Sequence, residues 1–442
     1  LVELGDGEQR VRSLRALADL HRGPLGQPDV AVDLMRELLL LEPTDLDVLR
    51  ELHRALLKLD RREEAKATLL AGVAHHRAWL RAEGVRSRFG VRVDFGIDHA
   101  PVRGLRELFE MFDDIDGVYL ATAIVEVTAR ERDDEARWPP CDRLQAEPWP
   151  LPAAQDGKPL DLLVGDLPCS QALDLLHEGV FLLSTLPGAP PPPVEISAAR
   201  ALPSNSGVVM VARALADALG ISQPLVFVNP DESDGVVAYL GSSPALIVGR
   251  RVNSTPFAPR SRDMLGRAVM RLATGGDYLH AAPQLPGSHA DDAEPRLLGL
   301  LMGLCRSLSI ELPEEAFASS RGEMPTIDRN IVSWVVKSLP DASSRSDLVH
   351  AARAFAQSTD TFDPIRLREA MMMAQDRAGV IASADPRPAL ENLLEGGDRR
   401  VLVAERATAL LGYLLSDDHL GLRRSLGYQV ALEREREEEL LA

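Results

Sequence analysis

The stretch "LGRAVMRLATGG", residues 265–276, decides how the second half of this chain is read. Its apolar residues Leu265, Val269 and Leu272 recur at helical spacing, and Arg267 and Arg271 stand four residues apart on the other side. Two side chains at i and i+4 share one helix face, the spacing by which two histidines would grip one metal ion. Arginine makes that impossible, because a guanidinium is permanently cationic and carries no acceptor lone pair. Taken alone, the two arginines equally describe the solvated face of an amphipathic helix.

What surrounds the stretch narrows the choice. Before it come a helix, "GVVMVARALADALG" (207–220), closed by Gly220, and a strand, "PLVFVNP" (224–230). A β-hairpin follows, built from "GVVAYLG" (235–241) and "PALIVGRRV" (244–252). Well after the arginine helix lies another, "DPIRLREAMMMAQDRAGVIASAD" (363–385).

This order resembles the zinc metallopeptidases of the HtpX and CAAX-prenyl-protease group over residues 204–395. In that group a helix with HExxH follows the hairpin, and a later helix supplies ExxxD. On the resemblance, "LGRAVMR" lies on the family's "LGHELGH". Arg267 then takes the first histidine position, Ala268 that of the general-base glutamate, and Arg271 that of the second histidine. "MMAQDRAG" lies on the glutamate-bearing segment, with Met372 in place of the ligand and Asp376, Arg377 and Gly379 kept. The three ligands and the base are therefore absent. The resemblance implies a vestigial site, no metal, no cofactor and no hydrolysis. It also implies a carboxylate–guanidinium pair, Asp376 with Arg267, where the ion would sit. A zinc-dependent peptidase with non-standard ligands stays open as an alternative. So does the sensor portion of a longer regulatory protein.

The N-terminal quarter has a period of about 34 residues. Gly26, Ala31, Met35, Leu38 and Pro43 recur as Asp60, Ala65, Leu69, Gly72 and Arg77, with Leu52 and Leu56 between them. Over residues 12–79 this resembles the tetratricopeptide repeat. The resemblance puts Gly26 and Asp60 in the turns between paired helices, and Ala31 and Ala65 at the close helix contacts. Met35, Leu52, Leu56 and Leu69 fill apolar sites, and Pro43 ends the first repeat. The second repeat has Arg77 where the family's proline is usual, and neither has the early tryptophan. Such repeats bury their faces only by stacking, so further helices are expected. Residues 101–134 have helical spacing at Leu105, Leu108, Phe109 and Phe112.

The chain of 442 residues carries 67 acidic against 49 basic residues, a net charge of -18. That balance argues against nucleic acid or an anionic membrane as partner. Aromatics make up only 4%, so the cores must be packed from Leu, Ala and Val. Cys141, Cys169 and Cys305 form no CxxC pair, and reduced thiols in a cytoplasmic protein are expected. The longest apolar runs, such as residues 297–305, are far shorter than the roughly 20 residues of a membrane span. No phosphate loop, dinucleotide fingerprint or nucleophile elbow occurs. His75 and His76 are adjacent and point apart. His280 and His289 flank a loop with Asp291 and Asp292, the one remaining stretch that suggests a metal. Met371 to Met373 fill core gaps.

The expected fold is α+β and predominantly helical, with repeat-type helical hairpins ahead of a degenerate zincin-like domain that carries a small sheet. The expected segments are repeats at 1–80, a helical connector at 81–137 and a proline-rich linker with short helices at 138–203. Pro190 to Pro193 lie in that linker. A peptidase-like domain follows at 204–430, then a charged helical tail at 431–442. The expected function is a non-catalytic scaffold whose partners are proteins or peptides.

Overall fold

The computed structural model describes residues 6–83, 85–88, 94–128, 163–183, 196, 201–232, 234–240, 244–275, 293–312, 327–339, 345–358, 363–395 and 402–426. Cys141, Pro190 to Pro193, His280, His289 and the 431–442 tail lie outside them. The protein is predominantly helical with a small open sheet. It divides into two compact units. One comprises Leu1–Gln145, Gly397–Leu420 and Val430–Ala442; the other comprises Ala146–Gly396 and Gly421–Gln429.

The first unit is a run of helices that pack in chain order. These are α1 (Asp6–Arg22), α2 (Pro28–Leu41), α3 (Leu46–Lys58) and α4 (Arg62–Glu83), then after a strand pair α5 (His99–Met111) and α6 (Ile115–Thr128). Each turn shows why these residues form it. Gly26 and Asp60 both take left-handed backbone, with φ of 59° and 56°. That conformation halts a helix and reverses the chain. Ala31 and Ala65 are fully buried a few residues on, and Met35, Leu52, Leu56 and Leu69 fill the core around them. Pro43 lies in the turn between α2 and α3. Asp45 caps α3, its carboxylate accepting from Asp47 N and Val48 N at 3.1 Å. The α5–α6 turn repeats the α3–α4 turn: Asp113 has φ 57°, and Asp114 N donates to Phe109 O at 2.9 Å as Arg61 N does to Leu56 O.

The 81–137 segment is not the all-helical connector the sequence suggested. It contains an antiparallel ribbon, β1 (Val85–Arg88) with β2 (Asp94–Ile97), paired Val85 to Ile97. This insertion throws Asp113 out of the 34-residue register and hid the third hairpin. Nor does 204–430 stay together. The helix α16 (Leu402–Leu414) belongs to the first unit, where it packs on α4 and β1.

In the second unit, β3 (Leu225–Asn229), β4 (Val236–Leu240) and β5 (Pro244–Gly249) form a sheet in the order β3-β5-β4. The hairpin of β4 and β5 is antiparallel, with Val237 opposite Ile247; β3 joins in parallel, with Phe227 opposite Ile247. The central strand β5 is an unbroken apolar run because its residues are buried on both faces of the sheet from Ala245 to Gly249. Around the sheet lie α7 (Ser170–Leu183), α8 (Gly207–Ala218), α9 (Arg250–Ser254), α10 (Pro259–Thr274), α11 (Ala293–Ser307), α12 (Arg329–Ser338), α13 (Ser346–Gln357), α14 (Pro364–Ser383) and α15 (Arg387–Glu395). The last described helix, α17 (Asp417–Ser425), ends in this unit. Residues 170–183 are not a linker helix: Ala172, Leu173, Leu175 and Leu176 are buried where α7 meets α13 and α10. Among the described residues no helix is long and apolar enough to cross a membrane.

Candidate functional site

The arginine stretch lies on α10, which the sheet, α7, α8, α14 and α15 enclose. Leu265, Gly266, Ala268, Val269, Met270, Leu272 and Ala273 are all buried. The amphipathic-surface reading fails for this reason: elements pack on the arginine side as well as the leucine side.

The broadest helix contact in the unit is between α10 and α14. Glycine permits it. A Cβ on Gly266 would lie 2.6 Å from Ala378 O, and one on Gly379 would lie 2.9 Å from Arg267 Cγ and run into Asp263 Oδ1. Backbone and side chains of the two helices thus meet at van der Waals range, and Asp263, Gln375 and Asp376 are buried at the crossing.

They are paired in rungs. Arg267 donates from Nη1 to Asp376 Oδ1 and from Nε to Asp263 Oδ2 at 3.0 Å. Asn392 on α15 donates from Nδ2 to the same Asp263 oxygen at 2.7 Å. Asp263 and Asp376 are fully buried, and Arg267 is 18% exposed. Burial pushes the Asp263 carboxyl up, against the pull of Arg267. Burial also works against the Arg267 charge, but Asp263 and Asp376 outweigh it and hold the guanidinium protonated. One helical turn on, Arg271 approaches Gln375 Oε1 with Nε and Nη2, both at 3.4 Å.

The expected pair of Arg267 and Asp376 is therefore in contact. Arg377 serves a different neighbour, donating to Leu163 O at 3.0 Å and to both oxygens of Asp166, which pins the 163–167 turn. Ala268 is buried, and Met372 is half-buried one turn before Asp376. Asp263, Gln375 and Asn392 were missed from sequence. Asp263 had a signal, since it stands one turn before Arg267 on the same helix; Asn392 had none. Among the described residues no three of His, Cys, Asp and Glu come together as a metal would need.

The first unit holds a second candidate. A cavity of about 340 Å³ opens between α1, α2 and α3 over Met35 and Leu38, rimmed by Arg15, Asp19, Arg50 and Arg54. Most of its charges are already paired, Arg15 with Asp45 and Arg50 with Asp47 and Glu107. Arg77 is paired with Asp417 at 2.9 Å. His76 is buried, donates from Nδ1 to Gly72 O at 2.9 Å, and turns Nε2 toward Gly104. Burial lowers its pKa and keeps the ring neutral. Cys305 is buried, and its thiol is pushed up to about 12 by that burial.

Comparison of the chain with family models, with curated proteins and with solved structures found no match.

Proposed function

We propose that this chain is a non-catalytic cytoplasmic binding protein. Its helical hairpins and its peptidase-like second unit both serve as surfaces for protein or peptide ligands. One observation carries the reading. The residue in the first histidine position, Arg267, is a cation locked between two buried carboxylates, and one of them is the retained Asp376. A fixed positive charge at that point ties α10 to α14 as a metal would, yet it cannot polarise a carbonyl or lower the pKa of a water by coordination. Ala268 beside it has no proton to move. In the first unit, the groove over Met35 and Leu38 has an apolar floor and a charged rim, which suits an extended or helical peptide.

The test restores what the resemblance says was lost. Arg267→His, Ala268→Glu, Arg271→His and Met372→Glu are combined in the full chain, and zinc is measured after dialysis. Stoichiometric zinc in the variant, with none in the unaltered protein, supports the reading. A variant that folds to the parent circular-dichroism spectrum but takes up no zinc removes the peptidase resemblance.

A further inference from the structure

The left-handed turns put the three helical hairpins of the first unit in register. Asp60 stands 34 residues after Gly26, and Asp113 stands 53 after Asp60. In that register the side of each hairpin that meets the one before it can be read off. Glu51 and Glu64 of the second hairpin reach back to Arg22 and Arg36 of the first, Glu51 at 2.7 Å. In the third, Glu107 reaches back to Arg50, and a Cβ on Gly104 would run into the His76 ring of α4. Counted back by those intervals, Glu51 and Gly104 fall on Leu17, Glu107 falls on Leu20, and Glu64 falls on Val30.

The positions that elsewhere meet a preceding hairpin are thus apolar in the first one, and they are open to water. Leu17 and Leu20 are each 43% exposed, and Val30 is 41% exposed. Leu34 and Leu41 continue the Val30 side of α2, the first only partly buried and the second exposed. At the turn Leu25 is exposed, whereas its counterpart Leu59 packs against the core cluster. The outer face of an end repeat is ordinarily polar, and a bare apolar patch marks a contact surface.

We infer that this side of α1 and α2 is the docking face for a second copy of the chain, hairpin against hairpin about a twofold axis. Charge selects that occupant. A hairpin of the repeat's own kind, added ahead in the same order, would bring arginines like Arg22, Arg36 and Arg50 to these positions. Leu17, Leu20 and Val30 offer them no carboxylate, so their charge would be buried unpaired. An apolar face is matched by another apolar face, and a twofold axis brings the same patch from the second copy. Glu37, which lies between Leu34 and Leu41 on α2, is paired with Arg10 and brings no free charge to that axis. None of these leucines lines the groove over Met35 and Leu38, so loss of the dimer and loss of peptide binding are distinguishable.

The experiment is sedimentation velocity of the full chain over a range of concentrations and salt. A reversible monomer–dimer equilibrium is expected, strengthened by salt, which screens the repulsion between two chains of net charge -18. Leu17→Glu, Leu20→Arg and Val30→Glu together give the first hairpin the residues that the second one carries, and this variant is expected to be monomeric. Leu17→Ala with Leu20→Ala keeps helix propensity and is expected to weaken the dimer about tenfold or more. Leu70→Glu, an exposed leucine of α4 outside the patch, is expected to leave the dimer unchanged. A chain that is monomeric at every concentration overturns the second-copy assignment. So do a dimer that salt dissociates, oligomers that grow beyond two, and a dimer indifferent to the alanine pair.

Discussion

Replacing Arg267 by methionine tests the structural claim most directly. Methionine fills much of the same volume and keeps the contact with Gly379, so the change removes charge more than packing. What remains are Asp263 and Asp376, both buried, with the guanidinium that joined them gone. Stripping one partner from a buried ion pair costs about 3–5 kcal/mol. The upper part of that range applies here, because both buried carboxylates lose this guanidinium at once, while Asn392 still donates to Asp263. Domains are stable by only about 5–15 kcal/mol in total, so the second unit should be left marginal. The assay is urea unfolding followed at Trp334, which lies on α12 in that unit. The loss should shrink in acid, where the Asp263 carboxyl, which burial already pushes up, takes up a proton. A triple variant, Arg267→Met with Asp263→Leu and Asp376→Leu, should recover most of the loss, because apolar replacement of a whole buried ion cluster is often neutral or better. A single-variant loss below about 1 kcal/mol, the value for exposed pairs, would refute the argument that this crossing is dry.

Two further outcomes belong to the first unit. His76 binds a proton less readily in the native state than in the unfolded chain, so acid favours unfolding. Its contribution is intact above the ordinary imidazole range and is lost as pH falls from that range through the lowered native value. Trp79, with its ring 6.0 Å from that of His76, reports the change by fluorescence. His76→Leu should flatten the pH profile, and an unchanged profile would dismiss the assignment. At the α3–α4 turn, Asp60 holds φ 56°, which strains any residue with a Cβ. Asp60→Gly should add up to about 1 kcal/mol and Asp60→Val should cost about 1–2 kcal/mol, both read by thermal unfolding.

The residues by themselves were enough for the helix-rich class and the period of about 34 residues, and the repeat resemblance placed turns at Gly26 and Asp60 and small residues at Ala31 and Ala65. The residues were also enough for the hairpin ahead of α10. These features are local. Periodicity and turn chemistry act over a few residues and are written in order along the chain. The contact of Arg267 with Asp376 could be anticipated only through a resemblance, because 109 residues separate the two. Three things were decided by tertiary structure alone. One is the burial of the arginine face of α10, which depends on what packs against it and not on its own pattern. Another is the inclusion of Asp263 and Asn392, since a shared carboxylate oxygen leaves no spacing in the sequence. The last is the return of α16 to the first unit. Each is a long-range juxtaposition, and no stretch of sequence records which distant surface will exclude water from it.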